Sequence, residues 1–98
     1  MFQEIFKNSK PVNEGDFEYF NVIKDFDVSV NFIKSGAKIP PHTHDQEVFN
    51  YVFDGDFTVA IDDEEKTYSV GDWIKIPANK LHSVEAKTSV TLLELWRK

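Results

Sequence analysis

Two short segments framed by glycine and proline contain all three histidines of the chain. The first, GAKIPPHTHDQEVFNYVFDG, spans residues 36–55 and holds His42 and His44. The second, GDWIKIPANKLH, spans residues 71–82 and ends at His82. Glycine and proline mark turns and strand ends, so each segment predicts a short β-strand beside a turn. Side chains two apart on a strand point the same way, so His42 and His44 can face one cavity.

This pattern of histidines favours a metal site. Imidazole is the commonest metal ligand in proteins, and it suits zinc, copper, iron and nickel. An His-x-His pair with a distant third histidine can build a three-ligand site that keeps positions open for water or substrate. A single histidine on an apolar face is more often a structural residue with a hydrogen-bond partner. The joint pattern therefore predicts His42, His44 and His82 as metal ligands.

The spacing of the two segments resembles the paired motifs of the cupin superfamily. The first motif is Gly, five residues, His-x-His, a few residues, an acidic residue and a later Gly. The second motif is Gly, five residues, Pro-x-Gly, two residues and His. The matching residues are Gly36, His42, His44 and Gly55 in the first motif, and Gly71, Pro77 and His82 in the second. The resemblance covers residues 28–96.

The chain departs from the family pattern at two positions. Asn79 stands where the second motif has Gly, a mild change because Asn is the residue after Gly that best tolerates a positive φ. Val48 stands where the family has its acidic ligand, and Glu47 is its neighbour. A shift of one residue along a strand turns the side chain to the opposite face. Either the site has three histidines and no carboxylate, or a local bulge brings Glu47 to the metal.

Short strands between Gly, Pro and Asp turns, without a helical period of useful length, predict an all-β sandwich or barrel. The resemblance narrows this to a small double-stranded β-helix, the jelly-roll barrel of cupins. We expect residues 1–98 to form one cupin domain, in which residues 28–96 form the two-motif barrel. Residues 1–16 are predicted to be an N-terminal arm that packs on the barrel or on a second subunit. Alternating side chains predict a first strand over residues 17–23.

The strand after His44 predicts which side chains face the cavity and which face outward. In the register set by Gly55, the cavity face includes Val48 and Asn50. The complete predicted substrate pocket is Asn50, Val48, Val84, Phe32 and Val30. Exposed aromatic residues are predicted to be Phe49, Tyr51, Phe53, Trp73 and Trp96. This exposed apolar area, together with the pairing that is frequent in similar small cupins, predicts a homodimer.

Composition limits the classes of partner. The net charge of −6 argues against nucleic acid or an anionic membrane as the partner. The chain has no cysteine, which excludes disulfides, thiolate catalysis and sulfur-ligated metals. The N-terminal residues lack a basic start and a long apolar stretch, and no run approaches the length of a membrane span. We therefore expect a cytoplasmic protein.

The resemblance implies a cupin that binds a divalent transition metal through three histidines and acts on a small molecule. The metal is Fe, Mn, Ni, Cu or Zn, and the sequence does not choose among them. Non-haem dioxygenase chemistry is the first reading, because a three-histidine iron site keeps positions free. The alternative is a small-ligand or metal-binding module without turnover. An isomerase would require a base that the sequence does not reveal beyond Glu47.

Overall fold

The computed structural model describes residues 2–98, without the side chain of Phe2. Met1, the first residue of the predicted arm, lies outside the described residues. Over residues 2–98 the chain forms one short helix and ten strands. Their bounds are α1 Phe2–Phe6, β1 Val12–Glu14, β2 Phe17–Tyr19, β3 Phe26–Ile33, β4 Lys38–His42, β5 Val48–Asp54, β6 Phe57–Ile61, β7 Glu64–Tyr68, β8 Trp73–Ile76, β9 His82–Ala86 and β10 Val90–Arg97. No helix in this part of the chain is long and apolar enough to cross a membrane.

Two four-stranded antiparallel sheets form the barrel. Their strand orders are β3-β10-β5-β8 and β4-β9-β6-β7. Strands with one apolar face must bury it against another element, and here the two sheets bury theirs against each other. The buried residues between them are Val48, Val52, Phe57, Val59, Ile74, Ile76, Ala86, Val90 and Leu92. The predicted all-β jelly-roll fold is confirmed.

A second buried cluster lies on the outer face of the sheet that contains β5 and β10. It consists of Ile5, Phe26, Phe49 and Leu95. Ile5 comes from α1, so the N-terminal segment covers this side of the sheet. The prediction that Phe49 is exposed is wrong, because its side chain is 0% exposed beneath this cover. An N-terminal element without a strong sequence pattern thus supplies part of the core.

The N-terminal region also departs from the predicted strand over residues 17–23. Strand β2 ends at Tyr19, and residues Val22–Lys24 form a 3₁₀ turn. Within residues 2–98, β2 pairs only with the three-residue strand β1, with Val12 opposite Tyr19. The alternating pattern predicted a longer strand, but none of the described strands pairs with residues 20–23.

Two tight turns hold the motif segments in place. Gly55 joins β5 to β6 with φ of +87°, and a Cβ added there would lie 2.1 Å from the Ser89 carbonyl oxygen. Only glycine fits this position, which explains the glycine that ends the first motif. Asn79 takes a φ of +63°, as its place in the second motif predicts. The Asn79 N–H donates to the His44 carbonyl at 2.8 Å, so this turn ties the two segments together.

Candidate metal centre and cavity

Strand pairing brings the three histidines together. His42 ends β4 and lies directly opposite His82, which begins β9. The imidazole centroids are 4.2 Å apart for His42 and His82, and 4.6 Å apart for His44 and His82. One nitrogen from each ring lies within 4.8 Å of the corresponding nitrogen of the other two. Within residues 2–98 this is the one group of His, Asp or Glu side chains that could share an ion.

The prolines before His42 shape its strand. Pro40 and Pro41 cannot donate ladder hydrogen bonds, and β4 is indeed the edge strand of its sheet. The pairing of β4 with β9 is irregular between Ile39 and His42. This irregular edge lets the chain leave the sheet immediately after His42, and His44 reaches the same cavity from the following loop.

Each imidazole is oriented by a backbone carbonyl two residues away. The Nδ1 of His42 lies 2.9 Å from the Pro40 oxygen, and that of His44 lies 2.7 Å from the Gln46 oxygen. The Nδ1 of His82 lies 2.9 Å from the Lys80 oxygen. A carbonyl only accepts, so each Nδ1 carries a proton, and in the neutral form of each ring Nε2 keeps a free lone pair. Such outer contacts are typical of metal-ligating histidines, and the three residues fit a divalent transition metal.

The protonation of His82 also suits a ligand. Its side chain is buried at the cavity floor beside the other two imidazoles. Burial lowers the pKa of His82, and the nearby His42 and His44 lower it further, whereas the hydrogen bond to the Lys80 carbonyl opposes this shift. The neutral ring is the form that binds a metal. His82 is therefore held in its metal-binding form to a lower pH than a free histidine.

Glu47 points away from the histidines, to the outer face of the sheet. Its Oε1 accepts a hydrogen bond from Arg97 Nε at 2.9 Å, and its Oε2 lies 3.7 Å from Lys75 Nζ. Lys7 Nζ lies 3.9 Å from Oε1. Its carboxylate is thus occupied by cations, and the neighbouring Val48 lines the cavity instead. This is the orientation that the Gly55 register predicted for a site without carboxylate ligand.

A cavity of about 380 Å³ opens onto the histidines. Of the five predicted pocket residues, Asn50, Val48, Val84 and Phe32 line it, although Phe32 is 82% exposed. Val30 does not, because it shares the outward face of β3 with Val28 and is half exposed. On this strand Asn31 and Ile33 face the cavity. Valine and isoleucine occur on both faces of β3, so alternation alone did not decide which face was inward.

Two further residues of β10 line the cavity and were not predicted to do so. Glu94 and Trp96 face inward with Leu92, whereas Leu93 and Leu95 contact the outer cluster. The prediction that Trp96 is an exposed outer residue is therefore wrong. Its indole ring packs against His44 at a centroid distance of 4.7 Å, and its N–H donates to Glu94 Oε1. Apolar residues occupy both faces of β10 around Glu94, so alternation over residues 92–96 did not show which face lies inward.

The comparisons with known proteins agree with this fold. The model of a family described as the cupin domain matches residues 30–96. A comparison with curated protein sequences finds no match. Among solved structures, a conserved protein of unknown function from Streptococcus pyogenes is 16% identical with a TM-score of 0.70. That similarity covers 92% of this chain and 93% of the other.

Two structures of proteins with more specific names are also similar. KdgF from a Halomonas species is 25% identical with a TM-score of 0.66, over 76% of this chain and 71% of KdgF. A mutant of salicylate 1,2-dioxygenase from Pseudoaminobacter salicylatoxidans is 18% identical with a TM-score of 0.68, over 74% of this chain. Only 21% of the dioxygenase chain is covered. Another structure of that dioxygenase is a complex with gentisate.

Proposed function

Because the chain belongs to the cupin family, we propose that it binds a divalent transition metal and acts on a small molecule held in the cavity. The ligands are the Nε2 atoms of His42, His44 and His82. Glu47 is left out of this ligand set because its carboxylate is paired with Arg97. The metal is Fe, Mn, Ni, Cu or Zn, and bound iron would supply oxygen activation whereas zinc would supply a Lewis acid.

The observation that carries this proposal is the shared orientation of the three rings. Each Nδ1 is engaged by a carbonyl two residues away, and three ring nitrogens converge within 4.8 Å of one another. A histidine with a purely structural role does not require other histidines nearby, because one hydrogen bond from its ring is enough to stabilise it. Three neutral imidazoles leave the charge of a divalent ion uncompensated, which favours substrates with an oxygen donor at that end.

Within this function, the specific chemistry that we propose is that of a non-haem dioxygenase. This proposal is supported by the similarity in fold to a salicylate dioxygenase. It is also supported by the three-histidine ligand set, which would leave coordination positions open on the metal. The alternative is a binding module without turnover, which the apolar character of most of the cavity wall favours. Oxygen uptake after anaerobic loading with Fe²⁺ and addition of gentisate separates the two. Uptake that depends on His82 supports the dioxygenase, whereas ligand binding without uptake supports the module.

Titration of the metal-free protein with Zn²⁺ by calorimetry tests the site directly. The wild type should bind about one Zn²⁺ per chain, and His82→Ala should lose that binding because two imidazoles remain. Leu81→Ala is the matched control, since Leu81 is the exposed neighbour of His82. Far-ultraviolet circular dichroism should show that all three proteins are folded. Wild-type binding by His82→Ala would contradict the proposal.

We also propose that two copies pair through the outer face of β3 and β5. Val28 and Val30 of β3 and Phe53 of β5 remain exposed there, on strands that flank β10. Exposed apolar side chains clustered on one sheet face can mark an interaction site. Light scattering should give the mass of a dimer, and the mass of a monomer would contradict this. The cytoplasmic location and the exclusion of nucleic acid stay predictions of the sequence.

A further inference from the structure

We propose that Glu94 and Asn50 form an acceptor wall, a polar side of the cavity that selects ligands with a hydroxyl group at the end away from the metal. The proposed ligand class is a small, hydroxylated organic molecule that carries no carboxylate at this end. The inference rests on the proposed function in one respect: the opposite end of the ligand is taken to lie at the metal. Neither residue of the wall is one of the residues that define the two motifs: Asn50 lies between His44 and Gly55, and Glu94 follows the second motif.

The sheet register places the two side chains side by side. Glu94 of β10 lies directly opposite Asn50 of β5. Directly opposed residues on antiparallel strands have Cβ atoms roughly 4.5–5.5 Å apart on the same face of the sheet. Both residues line the cavity. One ligand group can therefore contact the carboxylate and the amide together.

Both side chains have unused hydrogen-bonding capacity. Asn50 is 2% exposed, and its Oδ1 is buried without a hydrogen-bond partner in residues 2–98. Buried polar atoms are nearly always paired, so an unpaired one in a cavity indicates a missing ligand or solvent partner. Glu94 Oε1 accepts from the Trp96 indole, and no described residue donates to Oε2. Asn50 Oδ1 and Glu94 Oε2 are thus two acceptor atoms without a donor, on residues that line the cavity from two paired strands.

The side chains on the β5 side of this pair are apolar and contribute to its selectivity. On the Asn50 side the neighbouring side chains are apolar: Val48 and Leu92 line the cavity, and Ile74 lies opposite Asn50. On the other side of Glu94, Ser29 lies opposite it and Asn31 lines the cavity. In apolar surroundings a hydroxyl donated to a carboxylate is worth more than at a surface. A ligand carboxylate placed here would meet the Glu94 charge instead. The wall therefore favours a ligand group that donates a hydrogen bond and disfavours a ligand group with a negative charge.

Trp96 links the acceptor wall to the histidines. Its ring packs on His44 while its N–H holds Glu94. Glu94 is not a member of the converging ligand group, so its carboxylate remains free for the ligand rather than for the ion. A molecule that fills the cavity can thus present an oxygen to the histidines and a hydroxyl to Glu94.

Three pyranone probes with the same metal-chelating ring test the acceptor wall. Allomaltol, kojic acid and comenic acid carry a methyl, a hydroxymethyl and a carboxylate group, respectively, at the same ring position. Their affinities are measured by calorimetry or nuclear magnetic resonance on both the metal-free and the Zn²⁺-loaded protein. For the wild type, kojic acid should bind about tenfold more tightly than allomaltol, as expected for one hydrogen bond to a charged acceptor. Comenic acid should bind more weakly than allomaltol.

The variant Glu94→Gln keeps the size of the side chain and an acceptor for Trp96 but removes the charge. The preference for kojic acid should fall to about threefold or less, and the penalty on comenic acid should disappear. Glu64→Gln, on the exposed strand β7, removes the same charge and should leave both preferences unchanged. Asn50→Leu is a second variant of the wall that should also reduce the preference for kojic acid.

The outcomes separate this inference from the proposed function. An unchanged preference in Glu94→Gln, no preference in the wild type, or no binding of kojic acid to the wild type would each overturn the acceptor wall. If Zn²⁺ fails to bind but the metal-free protein shows a preference that depends on Glu94, the metal proposal fails and the acceptor wall stands. If Zn²⁺ binds through the histidines and no preference appears, only the acceptor wall fails.

Discussion

Glu47 and Glu94 are two carboxylates on opposite faces of the same sheet, and their surroundings differ. Glu47 faces outward and is surrounded by the cations Arg97, Lys75 and Lys7. Glu94 lines the cavity, and among the described residues its carboxylate accepts one hydrogen bond, from the indole of Trp96. The carboxylate beside the histidine motif is therefore engaged in structure, whereas the one distant from it in sequence is available to a ligand. Proximity to a motif along the chain did not indicate which carboxylate faces the site.

The two faces differ in the same way as their carboxylates. The guanidinium carbon of Arg97 lies 4.7 Å from the Phe26 ring centroid and 5.7 Å from that of Phe49, above the outer cluster with Ile5. In the part of this face that α1 covers, Arg97 is paired with Glu47 and the apolar side chains of the cluster are packed. On the cavity face Asn50 has an unpaired oxygen. The outer face thus contributes stability and the inner face keeps the binding capacity.

Truncation of the outer core should have the largest effect on stability. Phe49→Ala should lower the free energy of unfolding by about 3–5 kcal/mol, because it opens a cavity beneath α1. Urea unfolding followed by circular dichroism measures this. Phe53→Ala is the control on the same strand face, and it should change stability by less than about 1 kcal/mol because Phe53 is 47% exposed. The folded Phe49→Ala protein should still bind Zn²⁺. Loss of metal binding without loss of fold would show that metal binding also depends on the outer face.

Neutralisation of Glu47 should have a smaller effect. Glu47→Gln should leave about one Zn²⁺ per chain, and it should lower the free energy of unfolding by about 1–2 kcal/mol because Arg97 loses a largely buried partner. Glu64→Gln, an exposed change of the same kind, should stay within about 0.5 kcal/mol of the wild type. Loss of Zn²⁺ binding in folded Glu47→Gln would show that Glu47 is a ligand and reverse the assignment of the two carboxylates.

The smallest effect concerns the pH dependence of the metal-free protein. Burial lowers the pKa of His82 from its ordinary value near 6.5, so the unfolded chain binds this proton more readily than the folded chain. The contribution of His82 to stability is therefore complete above pH 6.5 and is lost as the pH falls through its lowered pKa. Urea unfolding at several pH values from 8 to 5 should show a decline that is shallower in His82→Gln. Identical slopes in the two proteins would contradict this role of burial.

Much of the barrel and its histidine centre could be predicted from the resemblance between the spacing of the two motif segments and that of cupins. The numbers of residues from Gly36 to His44 and from Gly71 to His82 define the two motif segments. Gly55 fixes the register that turns Val48 and Asn50 inward. These features follow from local chemistry, because only glycine fits the turn at Gly55 and a strand alternates its faces. Asn79 likewise takes the positive φ that its motif position requires.

The positions that could not be predicted depend on long-range contacts. Phe49 is buried because α1 covers the sheet, and nothing in the strand sequence reports that cover. Val30 faces outward and Glu94 inward because of the pairing of β3 and β10, whose apolar residues occupy both faces. A strand of this composition has no unique inward face until its neighbours are known. Of the acceptor wall, Asn50 was predicted to line the pocket, and Glu94 was missed for this reason.

Elemental analysis of natively purified protein tests the central claim most directly. The wild type is measured beside a His42→Ala/His44→Ala variant whose fold is verified by circular dichroism. Our account predicts about one iron, manganese, nickel, copper or zinc per wild-type chain and none in the variant, because one imidazole cannot hold the ion. Equal metal content in the two proteins, or no metal in the wild type even after reconstitution, would contradict it.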